Sequence, residues 1–274
     1  FICMVCCLRK KILNFTCTLT VIEFMQVHIL DIEFSYNGKK DVLYPVVLQT
    51  DQQLVLVDCG YAGFLPLLQN ALVKHQLSVN QLTGSIITHH DIDHMGALAE
   101  LKKNDPALKI YSSAIEAPYI NGNRQSLRLV QAEQMLPSIP DEYKAGALQF
   151  IELLKTVQAV PVDQLLALDH EIEWLPGVEV IHTPGHMPGH VSLYIRQNRT
   201  FIAADAVVVE NGLLEIANPQ FTLDLEEAVR SVEKLQQLEI DRMICYHGGV
   251  VQKDISDQLE QLLMRYTQIA TKPA

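Results

Sequence analysis

Thr88-His89-His90-Asp91-Ile92-Asp93-His94-Met95-Gly96 gathers three histidines and two aspartates into residues 89–94. The run Gly84-Ser85-Ile86-Ile87 directly before it is short and apolar, and reads as a buried strand. Side chains presented at a strand end can converge on one point in space, whereas a solvated loop would spread them. A single histidine is ordinarily a satisfied core or surface residue, but packing gives no reason to collect five imidazoles and carboxylates. The density reads as a metal-binding cluster.

Three further stretches place donors at the ends of apolar runs. Thr183-Pro184-Gly185-His186-Met187-Pro188-Gly189-His190 follows an apolar stretch at 178–182, with Pro and Gly setting tight turns. Asp205 ends Phe201-Ile202-Ala203-Ala204, where a buried carboxylate needs a charged partner. His247-Gly248-Gly249 follows a strand pattern at 242–246. Each is weak alone; four donor sets, each closing an apolar strand, imply a shared metal centre.

The order of these motifs resembles the metallo-β-lactamase superfamily, whose signature runs His-x-His-x-Asp-His, then a distant His, a bridging Asp and a last His. The resemblance covers nearly the whole chain from about Val27. It implies an α/β (α+β) fold, a four-layer αββα sandwich with two metals at one edge of the sheets. By motif position, His89, His186 and Asp205 would serve the first metal. Asp93, His94, Asp205 and His247 would serve the second, with Asp205 bridging. Asp58, in Val57-Asp58-Cys59-Gly60, matches a supporting position behind the ligands, and His190 is a candidate hydrogen-bonding support.

This chain departs from the signature at one place. The second His of the motif falls at Asp91, so either Asp91 is an oxygen ligand or the adjacent His90 swings in. With Asp91 bound, two divalent ions, three carboxylates and a hydroxide sum to a formal charge near zero, one positive unit below the usual pattern. Asp91→His is then expected to raise zinc affinity. Two divalent cations are expected, zinc first; an oxygen donor at Asp91 shifts preference toward harder ions, which makes manganese or iron the alternatives.

The chemistry this implies is hydrolysis of a small ester-like substrate, a lactone, thioester or phosphoester, by a metal-bridging hydroxide. Asp93 is the carboxylate placed to orient the nucleophile or relay a proton. The Thr183–His190 stretch is similar to that of acyl-homoserine lactonases and glyoxalase II. Those lactonases carry a Tyr three residues after the bridging Asp, where this chain has Val208. The alternative is a mononuclear iron oxidoreductase resembling persulfide dioxygenases, which would need only His89, His186 and Asp205.

Around these motifs, strands are expected at 27–36, 43–50, 54–58, 84–88, 108–111, 178–182, 191–195, 200–204 and 242–246. Helices are expected at 62–75, 97–103, 225–238 after an Asp224 cap, and 255–269. Residues 113–160 read as a helical insertion, with Tyr143, Ala147, Phe150, Ile151, Leu154 and Val157 at helical spacing, and as a candidate lid. Residues 25–274 are expected to form a single domain. Residues 1–24, with Cys3, Cys6, Cys7 and Cys17, read as a leader or upstream extension outside the fold. Cys59 and Cys245 read as buried thiols, and the cysteine placement points to a reducing, cytoplasmic compartment. A net charge of −11 argues against nucleic-acid and anionic-membrane partners, leaving a small-molecule substrate, with homo-oligomerisation open.

Overall fold

A computed structural model of the chain describes residues 25–36 and 38–270; the expected leader and Asn37 lie outside the described residues. Among the described residues, eleven strands make two sheets. The first runs in the order β1 (Gln26–Ile29), β4 (Val46–Gln49), β5 (Leu54–Val57), β6 (Gly84–Ile86), β7 (Lys109–Ser113) and β8 (Gln164–Leu166). Its β1–β4–β5 part is antiparallel and its β5–β6–β7–β8 part is parallel. The second runs β15 (Gly249–Val251), β14 (Arg242–Cys245), β11 (Thr200–Ala204), β10 (Val191–Ile195) and β9 (Val178–His182), with β11 and β14 parallel.

The layering follows from period-two side-chain alternation, which sends neighbouring residues of a strand to opposite faces. Val46, Leu48, Val55 and Val57 point into a core shared with Val180, Leu193, Ile202 and Ile244 of the other sheet. Their neighbours Val47, Leu54 and Leu56 point the other way, onto Leu68 and Leu72 of α1 (Leu65–Lys74) and Leu98 and Leu101 of α3 (Leu98–Asn104). In the second sheet Phe201, Ala203, Met243 and Cys245 likewise turn outward. They meet Val232 and Leu235 of α7 (Leu225–Leu235) and Leu259 and Leu262 of α8 (Ile255–Ala270). Three cores between four layers give the αββα sandwich.

Two expected strands are split. The stretch 27–36 breaks at Leu30–Asp31 into β1 and β2 (Ile32–Tyr36). The stretch 43–50 breaks at Tyr44–Pro45, so that β3 (Lys39–Leu43) precedes β4. Pro45 has no N–H for a ladder, and Leu30 N donates to its carbonyl at 2.8 Å, closing the bend. Hydrophobic periodicity alone does not mark a change of sheet. As a result β2 and β3 form their own hairpin, which brings Asp41 to the edge where the site lies. A second hairpin, β12 (Val208–Glu210) with β13 (Leu213–Glu215), went unread in the sequence.

Residues 113–160, expected as a helical insertion, carry α4 (Ala117–Ile120), α5 (Leu127–Met135) and α6 (Asp141–Leu154). Ile151 and Leu154 are buried, but Tyr143, expected on the same apolar face, is 64% exposed. Among the described residues no helix is long and apolar enough to cross a membrane.

Candidate metal centre

Five strand ends meet at one edge of the sandwich. Asp58 follows β5, His89 follows β6, His186 follows β9, Asp205 follows β11 directly, and His247 follows β14. The short helix α2 (Ile92–Met95) starts inside the motif itself. His94 N bonds Asp91 O at 3.0 Å, folding Asp93 and His94 back toward the strand ends. Two groups of potential ligands result: His89, His186 and Asp205, and Asp93, His94 and His247, each with its donor atoms within 4.8 Å of one another.

Asp205 stands between the groups. Its Oδ1 is 3.2 Å from His94 Nε2, and its Oδ2 is 3.6 Å from both His186 Nε2 and His247 Nε2. His247 Nε2 lies 3.1 Å from Asp93 Oδ2. Donors about 2.1 Å from a tetrahedral ion stand about 3.4 Å from one another, so these separations fit cation coordination. The buried polar atoms agree: His89 Nε2, His94 Nε2 and Asp205 Oδ1 are buried without a hydrogen-bond partner, an arrangement that costs free energy unless a cation takes the lone pairs. Burial alone would raise the Asp205 carboxyl, but His94 and His247 beside it hold it well below the usual carboxylate range.

The second layer sets the histidine tautomers. Asp58 Oδ2 accepts from His94 Nδ1 at 2.9 Å and from Thr88 Oγ1 at 2.8 Å, and its Oδ1 accepts from Thr88 N. With its proton committed to Asp58, Thr88 Oγ1 accepts from His89 Nδ1 at 3.1 Å. Both rings thus present Nε2 to the centre. His190 Nε2 accepts from Asp205 N at 3.1 Å, and burial, ahead of His186, lowers its pKa to about 3, so it stays neutral as the acceptor. Tyr246, unread in the sequence, packs its ring against His94 with centroids 4.1 Å apart and the planes tilted by 33°, and donates to Asp93 O. Cys59 and Cys245 are buried free thiols. Asp58 has φ 58°, which Asn also adopts. Asp58→Asn should therefore fold, yet weaken divalent-cation affinity about 10–100-fold; wild-type affinity in a chelator-competition titration would remove Asp58 from this role.

His90 and Asp91 part company. The His90 ring stacks on Tyr119, bonds Glu116 through Nδ1 and accepts from Leu127 N through Nε2 at 3.1 Å, away from the donor groups. Asp91 Oδ2 instead lies 2.9 Å from His186 Nε2 and 3.6 Å from His89 Nε2. Sequence reasoning missed its other partner, Arg128, whose Nε and Nη2 grip both Asp91 oxygens at 3.1 and 2.7 Å. Burial alone would raise Asp91; Arg128, then His186 and His89, keep it well below its ordinary value. The available signal was an arginine flanked by Leu127 and Leu129, too common to single out.

Residues 44–247 match the family model described as the metallo-beta-lactamase superfamily. The chain belongs to that superfamily. The chain is similar to the probable metallo-hydrolase YflN of Bacillus subtilis (strain 168), 30% identical over 78% of this chain and 83% of that protein's length. An N-acyl homoserine lactonase of a Bacillus species is 29% identical over 32% of this chain and 36% of its own. A metallo-beta-lactamase family protein from Thermus thermophilus superposes with a TM-score of 0.69 at 20% identity, covering 88% of this chain and 79% of that one.

A cavity of about 520 Å³ opens over the donors of this superfamily enzyme. Asp41 and Glu210 are at its rim, and Phe150, Val208 and Phe221 are in its wall. A second, mainly apolar cavity of about 200 Å³ adjoins it, sharing Arg128, Phe150 and Phe221 and running between α5 and α6 to Met135, Ile139 and Ala147.

Proposed function

We propose that this metal-dependent hydrolase works with two cations and cleaves a small carboxylic ester-like substrate, a lactone or thioester carrying an apolar acyl part. The observation that carries this is Asp205 set between two complete donor groups. Two divalent cations, zinc first with manganese or iron as alternatives, would supply hydroxide at neutral pH and polarise the scissile oxygen. Asp93 is the more open of the aspartates among the donors, at 15% side-chain exposure against 7% for Asp205. It faces the cavity and is placed to orient the nucleophile and pass a proton to the leaving group.

The cavity walls choose among ester classes. Arg128 is the one lysine or arginine among its described lining residues, and Asp91 already engages it. With Asp41 and Glu210 at the rim, a phosphoester dianion meets like charge and no free cationic side chain. The apolar trough suits an acyl chain instead. The partial likeness to N-acyl homoserine lactonases supports the same class. The iron oxidoreductase needs only His89, His186 and Asp205, and leaves the assembled Asp93, His94 and His247 without a purpose.

Elemental analysis of protein purified without chelators is expected to give about two divalent ions per chain. Medium-chain lactones or thioesters should then exceed phosphoesters in kcat/KM by about 10²-fold or more. One iron per chain, with oxygen uptake on persulfides, would replace this function by the oxidoreductase.

A further inference from the structure

Arg128 is 3% exposed, on the insertion helix α5, yet it reaches the centre of the strand-end cluster. Its guanidinium bonds both oxygens of Asp91, donates from Nη1 to Gln131 Oε1 at 2.6 Å, and sits 5.3 Å from the Phe221 ring centroid. Its Nη2 comes within 3.4 Å of His186 Nε2. A buried arginine so close to donors that would face a dication is unfavourable unless its charge is needed there.

The charge count gives the need. With neutral histidines, two divalent cations facing Asp91, Asp93, Asp205 and a hydroxide leave no net charge. A neutral ligand in place of Asp91 would leave one positive unit. We propose that Arg128 is a resident counter-cation of the metal centre, so that the Asp91–Arg128 pair acts electrically as a single neutral ligand. The fork engages both oxygens from one side, leaving Oδ2 facing His89 and His186. The insertion is thereby tied into the metal site, because His90 fixes Leu127 and Asp91 fixes Arg128, consecutive residues holding consecutive residues. Arg128 is a positioning residue here, acting through Asp91.

This rests on the two-cation reading, and the test separates the two. Zinc and manganese affinities are measured by chelator competition for wild type, Arg128→Met, Asp91→His and the double variant, with thermal melts to confirm folding. Freed of its counter-charge, Asp91 should bind cation more tightly, so Arg128→Met gains about tenfold. Asp91→His leaves the guanidinium unpaired beside the cation and should lose about 10–100-fold, the reverse of the gain expected from the motif alone. The double variant should return to within about threefold of wild type or better. Arg128→Lys, which keeps the charge but not the fork, should stay within about threefold of wild type, and it carries the test should Arg128→Met not fold. A merely structural arginine predicts loss in Arg128→Met and in Arg128→Lys, and no reciprocal rescue; either result, or unchanged affinities in Arg128→Met and Asp91→His, overturns the proposal. A wild type that binds no divalent cation removes the two-cation function itself, and this inference with it.

Discussion

Asp205→Ala is expected to cut bound metal from about two ions to fewer than one per chain, and kcat/KM by about 10³-fold or more. The size follows from position. Among the described residues Asp205 is the one carboxylate within 3.6 Å of His94, His186 and His247 together, so its loss strips a donor from both groups at once. It also removes a negative charge from a buried cluster of imidazoles, leaving bound cations less compensated. Asp205→Asn separates the two effects: the amide oxygen preserves shape and one donor but not charge, and should retain intermediate metal. Elemental analysis and single-substrate kinetics on the same preparations read both. An Asp205→Ala protein that still holds two ions per chain would show that the groups bind independently and that Asp205 does not bridge them.

How much of this was legible in the sequence depended on whether a residue's role was local. His89, His186, Asp205 and His247 each stand at the end of an apolar strand, so hydrophobic pattern and donor chemistry together mark them. The same pattern marks β9, β10 and β11 to the residue. Asp58 carried no chemical signal of its own and was found only through resemblance. Its φ of 58° and its bonds to His94 and Thr88 belong to the folded chain. Arg128, Glu116 and Tyr246 were missed for a related reason. Arg128 is 37 residues from Asp91 and Tyr246 is 153 from Asp93, and nothing in an isolated Arg or Tyr records a partner that far away. Glu116 ties His90 to Gly189 N and so holds His90 away from the donor groups, through a contact between residues 113–160 and the second histidine loop. The split of two strands at Leu30 and Pro45 likewise reflects which sheet each half joins, a tertiary fact.

Gly185→Ala is expected to destabilise the fold by about 3 kcal/mol or more, which for a chain of this size lowers Tm by about 6–12 °C. Gly185 has φ 133°, and a Cβ there would lie 2.3 Å from Ala228 N and 2.4 Å from Ala228 Cα. Those atoms are helix backbone and cannot rotate aside. The contact matters because the loop and α7 are mutually fixed. Asp224 N donates to Gly185 O at 2.9 Å, Ser231 Oγ donates to Pro184 O at 2.6 Å, and Asp224 caps the helix by accepting from Glu227 N. Relieving the clash must move either the helix or the segment presenting His186, so metal affinity should fall along with Tm. Gly177→Ala is the control, since Gly177 also has a positive φ, 84°, but open space around a Cβ. It should cost only the conformational part, about 1 kcal/mol, and leave metal binding unchanged. Equal losses in the two variants would mean that the α7 contact yields easily, and that His186 is held by its strand rather than by the helix behind it.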